Sequence, residues 1–136
     1  MQVKTNKLTG AALDWAVAIA EGFKPTQLYI SKYPHSPASI YTLTFDDDGK
    51  PDGYMTGPNR LYSRKWEAGG PIIERTCASL FVDQKHAAYE GHPEEFWFCE
   101  IAEGGLWFGP TPLIAAMRCY VANKFGDIVE IPEELV

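Results

Sequence analysis

The stretch from Gly109 to Gly126 constrains the fold of this chain more than any other. Thr111 stands where an N-cap belongs, and Pro112 takes the first helical position, where its missing N–H is no loss. Gly126 follows the last turn, and Lys124 sits where a cation complements the helix dipole. Between these signals Leu113, Ile114, Met117, Tyr120, Val121 and Phe125 form one apolar face. A helix is therefore expected between Thr111 and Gly126, lying against a core.

A second helix is signalled near the start of the chain. Thr9 is the candidate cap, Leu8 and Leu13 have the spacing of a hydrophobic staple, and Gly22 supplies the stop after Glu21. From Gly10 to Glu21 only Asp14, Ala18 and Glu21 make a polar-tolerant edge. So wide an apolar arc asks for cover on two sides, by a sheet and by a partner chain, and a homo-oligomer is expected on that ground.

Between the helices the pattern turns to strands. Gln27–Ser31 and Ile40–Phe45 alternate β-branched or aromatic residues with polar ones, separated by a loop holding Pro34 and Pro37. Asp46 to Gly53 reads as a long turn. Ala78–Asp83, Glu95–Ala102 and Leu106–Phe108 are further strands, with Gly104-Gly105 as a hairpin and Gln84 to Glu94 as a polar loop. The tail from Asp127 to Val136 is expected to form a short edge strand or to drape over the domain. The expectation is one α+β domain spanning residues 1–136, an antiparallel β-sheet packed against an N-terminal and a C-terminal helix.

Charge narrows the function. Twelve basic residues against eighteen acidic ones give a net charge of −6, and no basic stripe occurs. Generic nucleic-acid binding is not expected, whereas a small anionic ligand in a local pocket stays open. No window is long and apolar enough for a membrane span, and Met1 to Lys7 lacks a signal-peptide core. Three widely spaced cysteines suit free thiols in a reducing compartment, so a cytoplasmic protein is expected.

The candidate site centres on the segment that follows residue 60. Aromatics make up 13% of the chain, and Trp66 and Tyr62 are placed to stack on a flat ring if they do not fill the core. Gly69 and Gly70 allow a close backbone approach, and a short helix begun at Pro71 would point N–H groups at an anion. Arg60, Arg64 and Arg75 are the candidate phosphate contacts, with Glu74 beside them. Thr111 and Arg118 form a similar pairing of helix start and guanidinium. The plain alternative is structural: a turn whose Trp plugs the core and whose Glu74 and Arg75 form structural hydrogen bonds, a rigid cap and a surface arginine.

Other chemistries fit less well. A calcium loop beginning at Asp46 needs a glycine at position 51 and a glutamate at position 57, where Pro51 and Gly57 stand. His35, His86 and His92 lack ligand spacing, and no cysteine pair has the gap of a zinc site, so neither metal nor cofactor is implied. Cys99 with His92 is a conceivable nucleophile pair, but Cys99 alternates within an apolar strand. Glu94, Glu95, Glu100 and Glu103 flank that strand as solvated charges, and no catalytic residue is assigned.

Three groups of residues resemble a known family. They are Tyr62–Arg75, Gly109–Asp127, and the opening Lys4-Thr5 with Leu8–Ala18. These segments are similar to the NinX-like family of lambdoid phages and enterobacterial prophages. The resemblance implies a small phage accessory protein, which would place it in the host cytoplasm, and assigns it no activity. Where that family's pattern commonly has an aspartate before the tryptophan, this chain has Lys65, so a role of that aspartate does not transfer.

Taken together, the sequence points to a protein that binds and does not catalyse. By analogy with small acidic phage proteins, the expected ligand is nucleotide-like, a host immune signalling molecule held out of circulation. The alternatives are a protein-interaction module using Tyr33, Tyr62 and Trp66 against a host enzyme, and a small hydrolase.

Overall fold

The computed structural model describes residues 1–56, 60–76, 78–82, 97–101 and 105–136. Strand β1 is Gln2–Lys4, and helix α1 is Gly10–Ala20. A hairpin of β2 (Leu28–Tyr33) and β3 (Ser36–Phe45) leads into β4 (Pro51–Thr56). Helix α2 (Trp66–Thr76) follows, then β5 (Ser79–Val82), β6 (Trp97–Glu100) and β7 (Leu106–Gly109). Helix α3 (Pro112–Phe125) and β8 (Ile128–Glu130) complete the order.

The class is α+β, with antiparallel strands between an N-terminal and a C-terminal helix. The strands divide among three small sheets, β1–β8, β2–β3–β4 and β5–β6–β7, where the sequence suggested one. Helix α3 packs on α1, on α2, on β6 and β7 and on β8, while the β2–β3–β4 sheet rests on α1 through β3. Leu13, Val17, Ile40, Met117, Val121 and Ile131 meet in the shared core. Among the described residues no helix is long and apolar enough to cross a membrane.

Helix α3 forms as its end signals require. Thr111 is extended and its Oγ1 accepts from the Ile114 N–H at 3.1 Å, the bond that an N-cap supplies. Gly126 ends the helix at φ 87°, a conformation that costs glycine nothing. Beyond it Thr5 is fully buried, its N–H donating to the Asp127 carbonyl and its Oγ1 to the Gly126 carbonyl, both at 2.8 Å. These bonds clip the chain's opening segment to the end of α3, where β1 pairs with β8 from Gln2↔Glu130 to Lys4↔Ile128. The tail thus forms the short strand that was one of its two expected states, and β1 is a partner that the sequence did not signal.

Helix α1 corrects one expectation. Seven consecutive residues, Ala12 to Ala18, are buried, so the helix has no exposed edge through Asp14 or Ala18. The cover comes from β3, α3 and the segment leading into α2 within this same chain. A partner over α1 is therefore not required, and the ground for expecting self-association there is gone. Thr9 is extended, as a cap should be, but its side chain makes no capping hydrogen bond.

The middle strands begin and end differently from the sequence pattern. Pro34-His35 alone makes the β2–β3 turn, and Pro37 lies inside β3. It is tolerated because the register slips between the Ser31↔Ser39 and Tyr33↔Ser36 pairs, so the ladder needs no N–H there. The acidic turn is shorter than expected. The Asp46 carboxylate accepts from the N–H groups of Asp48 and Lys50 at 3.0 and 2.9 Å, an Asx turn, and Pro51 already opens β4. The expected loop from Gln84 to Glu94 and Gly104 of the expected hairpin lie outside the described residues, while β6 and β7 pair from Trp97↔Gly109 to Glu100↔Leu106.

Candidate functional site

Helix α2 begins at Trp66, five residues before the expected start at Pro71, so Gly69-Gly70-Pro71 lies within the helix and forms no loop. A turn at Leu61 leads in, its carbonyl accepting from the Arg64 and Lys65 N–H groups at 3.1 and 2.9 Å. Gly69 is where the helix touches its surroundings. A Cβ there would lie 2.3 Å from the Tyr62 carbonyl oxygen and 2.8 Å from Leu113 Cδ2, whereas at Gly70 the nearest atom is Trp66 Cε3 at 3.7 Å. The anion site expected at a helix start on Pro71 is thus not formed. Pro71 acts differently: having no N–H, it leaves the Glu67 carbonyl without the donor that residue i+4 normally provides.

The residues singled out in the sequence separate into several environments. Tyr62 is 5% exposed, part of the core, and offers no open face for stacking. Burial pushes its phenol up in pKa, against the pull of the Arg60 guanidinium. Trp66 is 55% exposed and borders a cleft of about 340 Å³ with Ser63, Arg64 and the Thr111–Ile114 start of α3. The stacking pair expected of Tyr62 and Trp66 is therefore not assembled, because one ring is inside and the other outside.

Three of the four arginines are engaged. Arg64 donates Nε and Nη2 to Asp14 Oδ2 at 3.0 and 2.7 Å, and Nη2 also reaches the Ala38 carbonyl at 3.1 Å. The other oxygen of this fully buried carboxylate accepts from the Ser63 N–H at 2.7 Å and the Ser63 hydroxyl at 2.6 Å. Burial raises the Asp14 pKa, and the Ser63 and Arg64 hydrogen bonds pull it back. The group joins α1 to the approach of α2. Arg118 is 1% exposed and no surface residue: it donates Nε to the Leu8 carbonyl and Nη1 to the Phe108 carbonyl, both at 2.9 Å. Its work is to tie β7 and the α1 approach to α3.

Arg75 belongs to a third group. Its Nη2 donates to Glu21 Oε2 at 2.6 Å, and the Tyr120 hydroxyl donates to the same oxygen at 2.6 Å. Burial first, then the bond to Glu21, pushes the Tyr120 phenol up to about 12. Arg75 thus makes the structural hydrogen bond that the plain alternative gave it, with Glu21 as its partner.

Arg60 stands apart from the other three. It lines a cleft of about 500 Å³ with Phe23, Tyr62, Lys65 and the Glu67, Ala68, Pro71, Ile72 face of α2, and Glu21 closes one side. Its guanidinium lies 4.8 Å over the Phe23 ring, and among the described residues its buried Nε has no hydrogen-bond partner. A buried donor left open costs free energy unless something outside the chain accepts from it. Sequence reasoning found Arg60 and Tyr62 but missed Phe23, Lys65, Glu67 and Pro71. The i, i+4 spacing of Glu67 and Pro71 was the available signal, hidden because the helix was expected to start at Pro71.

A further cleft of about 490 Å³ lies between β7 and the β1 end, lined by Lys4, Asn6, Leu106 and Asp127 among others. Asn6 Oδ1 is also buried without a partner, but this cleft contains none of the residues singled out above. Cys99 is fully buried, and His92, its conceivable partner, lies outside the described residues. Among the described residues no three His, Cys, Asp or Glu side chains gather to hold a metal ion.

Comparison with curated proteins gives no match. A family model described as Bacteriophage P22, NinX matches residues 4–124, a span holding α1, α2, both clefts beside α2 and nearly all of α3, and the chain belongs to that family of phage proteins.

Proposed function

We propose that this small phage accessory protein acts by binding, taking up a small ligand with one anionic end and one flat ring in the Arg60 cleft. The observation that carries this reading is the buried Arg60 Nε–H without a partner in a cleft of about 500 Å³, a size that suits small ligands. A phosphate or carboxylate beside Arg60 would accept from that donor and gain from Lys65 at the same cleft. In a phage protein, the class of ligand that best answers this chemistry is a nucleotide-derived molecule of the host, sequestered from its receptor. The protein would then be a trap that works by occupancy and needs no catalytic group.

Mass spectrometry of small molecules released by denaturing protein purified from phage-infected cells tests this directly. A nucleotide released in stoichiometric amount is the expected result. A thermal-shift panel of nucleotides should raise the melting point, since a ligand at a hundredfold its Kd adds about 2.7 kcal/mol of stability. No released nucleotide and no shift from any member of the panel would end the proposal.

A second reading rests on Trp66. A half-exposed indole beside Pro112 and Ile114 is the kind of anchor that protein interfaces use, and Tyr33 is 64% exposed as well. Under this reading the protein binds a host enzyme. Recovery of one stoichiometric host protein by wild type, lost with Trp66→Ala and kept with Arg60→Gln, would favour it over ligand capture. The same recovery by the Trp66→Ala protein would remove it.

A further inference from the structure

Resting on the reading of the Arg60 cleft as a ligand site, we infer that its ligand is a mononucleotide-sized molecule with a single phosphate, and that cyclic oligonucleotides are excluded. Two properties of the cleft set this class: the number of cations it offers and the number of ring faces it offers.

Phosphate charge needs cationic donors, and the supply here is short. Arg64 and Arg75 are each held by a carboxylate, and Arg118 is buried on backbone carbonyls. Among the described residues lining this cleft, Arg60 and Lys65 bring positive charge and Glu67 brings negative charge, while the Glu21 carboxylate is already paired with Arg75. Arg60 and Lys65 together suit one phosphate group. A second phosphate, as in a cyclic dinucleotide, would meet the Glu67 carboxylate with no further guanidinium to offset it.

The walls likewise accommodate one ring. Phe23 already has the Arg60 guanidinium over its face at 4.8 Å, and Tyr62 is buried. Among the described lining residues there remain Leu61 and the aliphatic surface of Ala68 and Pro71 along α2, with Ile72 itself buried, a wall for one base against one helix face. The ligand thus described carries phosphate at one end and a single base at the other.

Isothermal titration calorimetry on the full chain tests the class. The probes are the nucleoside monophosphates, the 3′,5′-cyclic mononucleotides, the parent nucleosides, cyclic di-AMP and cyclic di-GMP. A mononucleotide is expected to bind on the order of tenfold or more tighter than its nucleoside and than either cyclic dinucleotide. Arg60→Gln should weaken that mononucleotide by roughly tenfold to a hundredfold, and Lys65→Gln, at an exposed position that leaves folding intact, by a few fold. A cyclic dinucleotide that binds as tightly as any mononucleotide overturns the inference while leaving ligand capture standing. Failure of every probe, nucleosides and cyclic dinucleotides included, overturns both.

Discussion

Gly69→Ala is expected to destabilise the fold and Gly70→Ala to leave it near neutral, although the sequence presents the two glycines as equals. In a helix interior, glycine-to-alanine gains about 1 kcal/mol of propensity. At Gly70 the new methyl meets no atom beyond its chain neighbours closer than Trp66 Cε3 at 3.7 Å, but the Pro71 ring that follows disfavours the helical conformation for a residue with a Cβ, so that gain is largely offset. At Gly69 the methyl would sit 2.3 Å from the Tyr62 carbonyl oxygen and 2.8 Å from Leu113 Cδ2. Ordinary contacts between heavy atoms lie near ~3.5 Å, so α2 must retreat by roughly 1 Å from a backbone atom that cannot rotate aside. Leu113 is itself in the core, and overpacking of this kind costs about 1–3 kcal/mol. Allowing for the propensity gain, Gly69→Ala should lose up to about 2 kcal/mol, and the two variants should differ by up to about 2 kcal/mol. Urea denaturation followed by tryptophan fluorescence reads the difference as a shift in midpoint at constant slope. The packing argument is refuted if the Gly69→Ala protein is as stable as the Gly70→Ala protein.

Three further substitutions probe the framework around the clefts. Thr111→Ala removes the acceptor for the Ile114 N–H and should cost about 1 kcal/mol by urea denaturation; an unchanged midpoint would show that the cap contributes nothing. Thr5→Val keeps the shape but strands the Gly126 carbonyl, so a loss of about 1–3 kcal/mol is expected, and a neutral result would mean that another donor takes over. Tyr120 supplies a pH dependence: its phenol ionises near 10 when unfolded and is pushed up to about 12 in the fold. The folded state therefore holds the proton more tightly. Its contribution is complete below pH 10 and lost as pH rises toward 12, up to about 2–3 kcal/mol in all. Tyr120→Phe should flatten the fall of stability across that alkaline window, and an unaltered slope between pH 10 and 12 would contradict the assignment.

The two terminal helices were legible because their ends are written in local chemistry. The Thr111–Pro112 start and the Gly126 stop need only neighbouring residues to act, and the structure places them as read. The α2 helix was misread for the converse reason. Its Gly69-Gly70-Pro71 run has the composition of a turn, yet the contact of Gly69 with Tyr62 and Leu113 makes a glycine obligatory inside the helix. Tertiary proximity of that kind leaves no mark in local sequence. The same holds for β1, three residues whose strand identity comes entirely from pairing with β8 at the far end of the chain.

The arginines carry this reasoning to the site itself. From sequence, Arg60, Arg64, Arg75 and Arg118 were equivalent candidates for an anion. A guanidinium already held by a buried or oriented carboxylate presents little net attraction to a phosphate, because its charge and its fork are both committed. Asp14 commits Arg64, and Glu21 commits Arg75, through residues some fifty positions distant in the chain, which is why no local pattern distinguished them. Arg118 is committed by two carbonyls in the interior. Among the described residues Arg60 alone combines a place in an open cleft with a buried Nε that finds no partner, so the proposed ligand binding near α2 would depend on that guanidinium more than on the tryptophan that first drew attention to the segment.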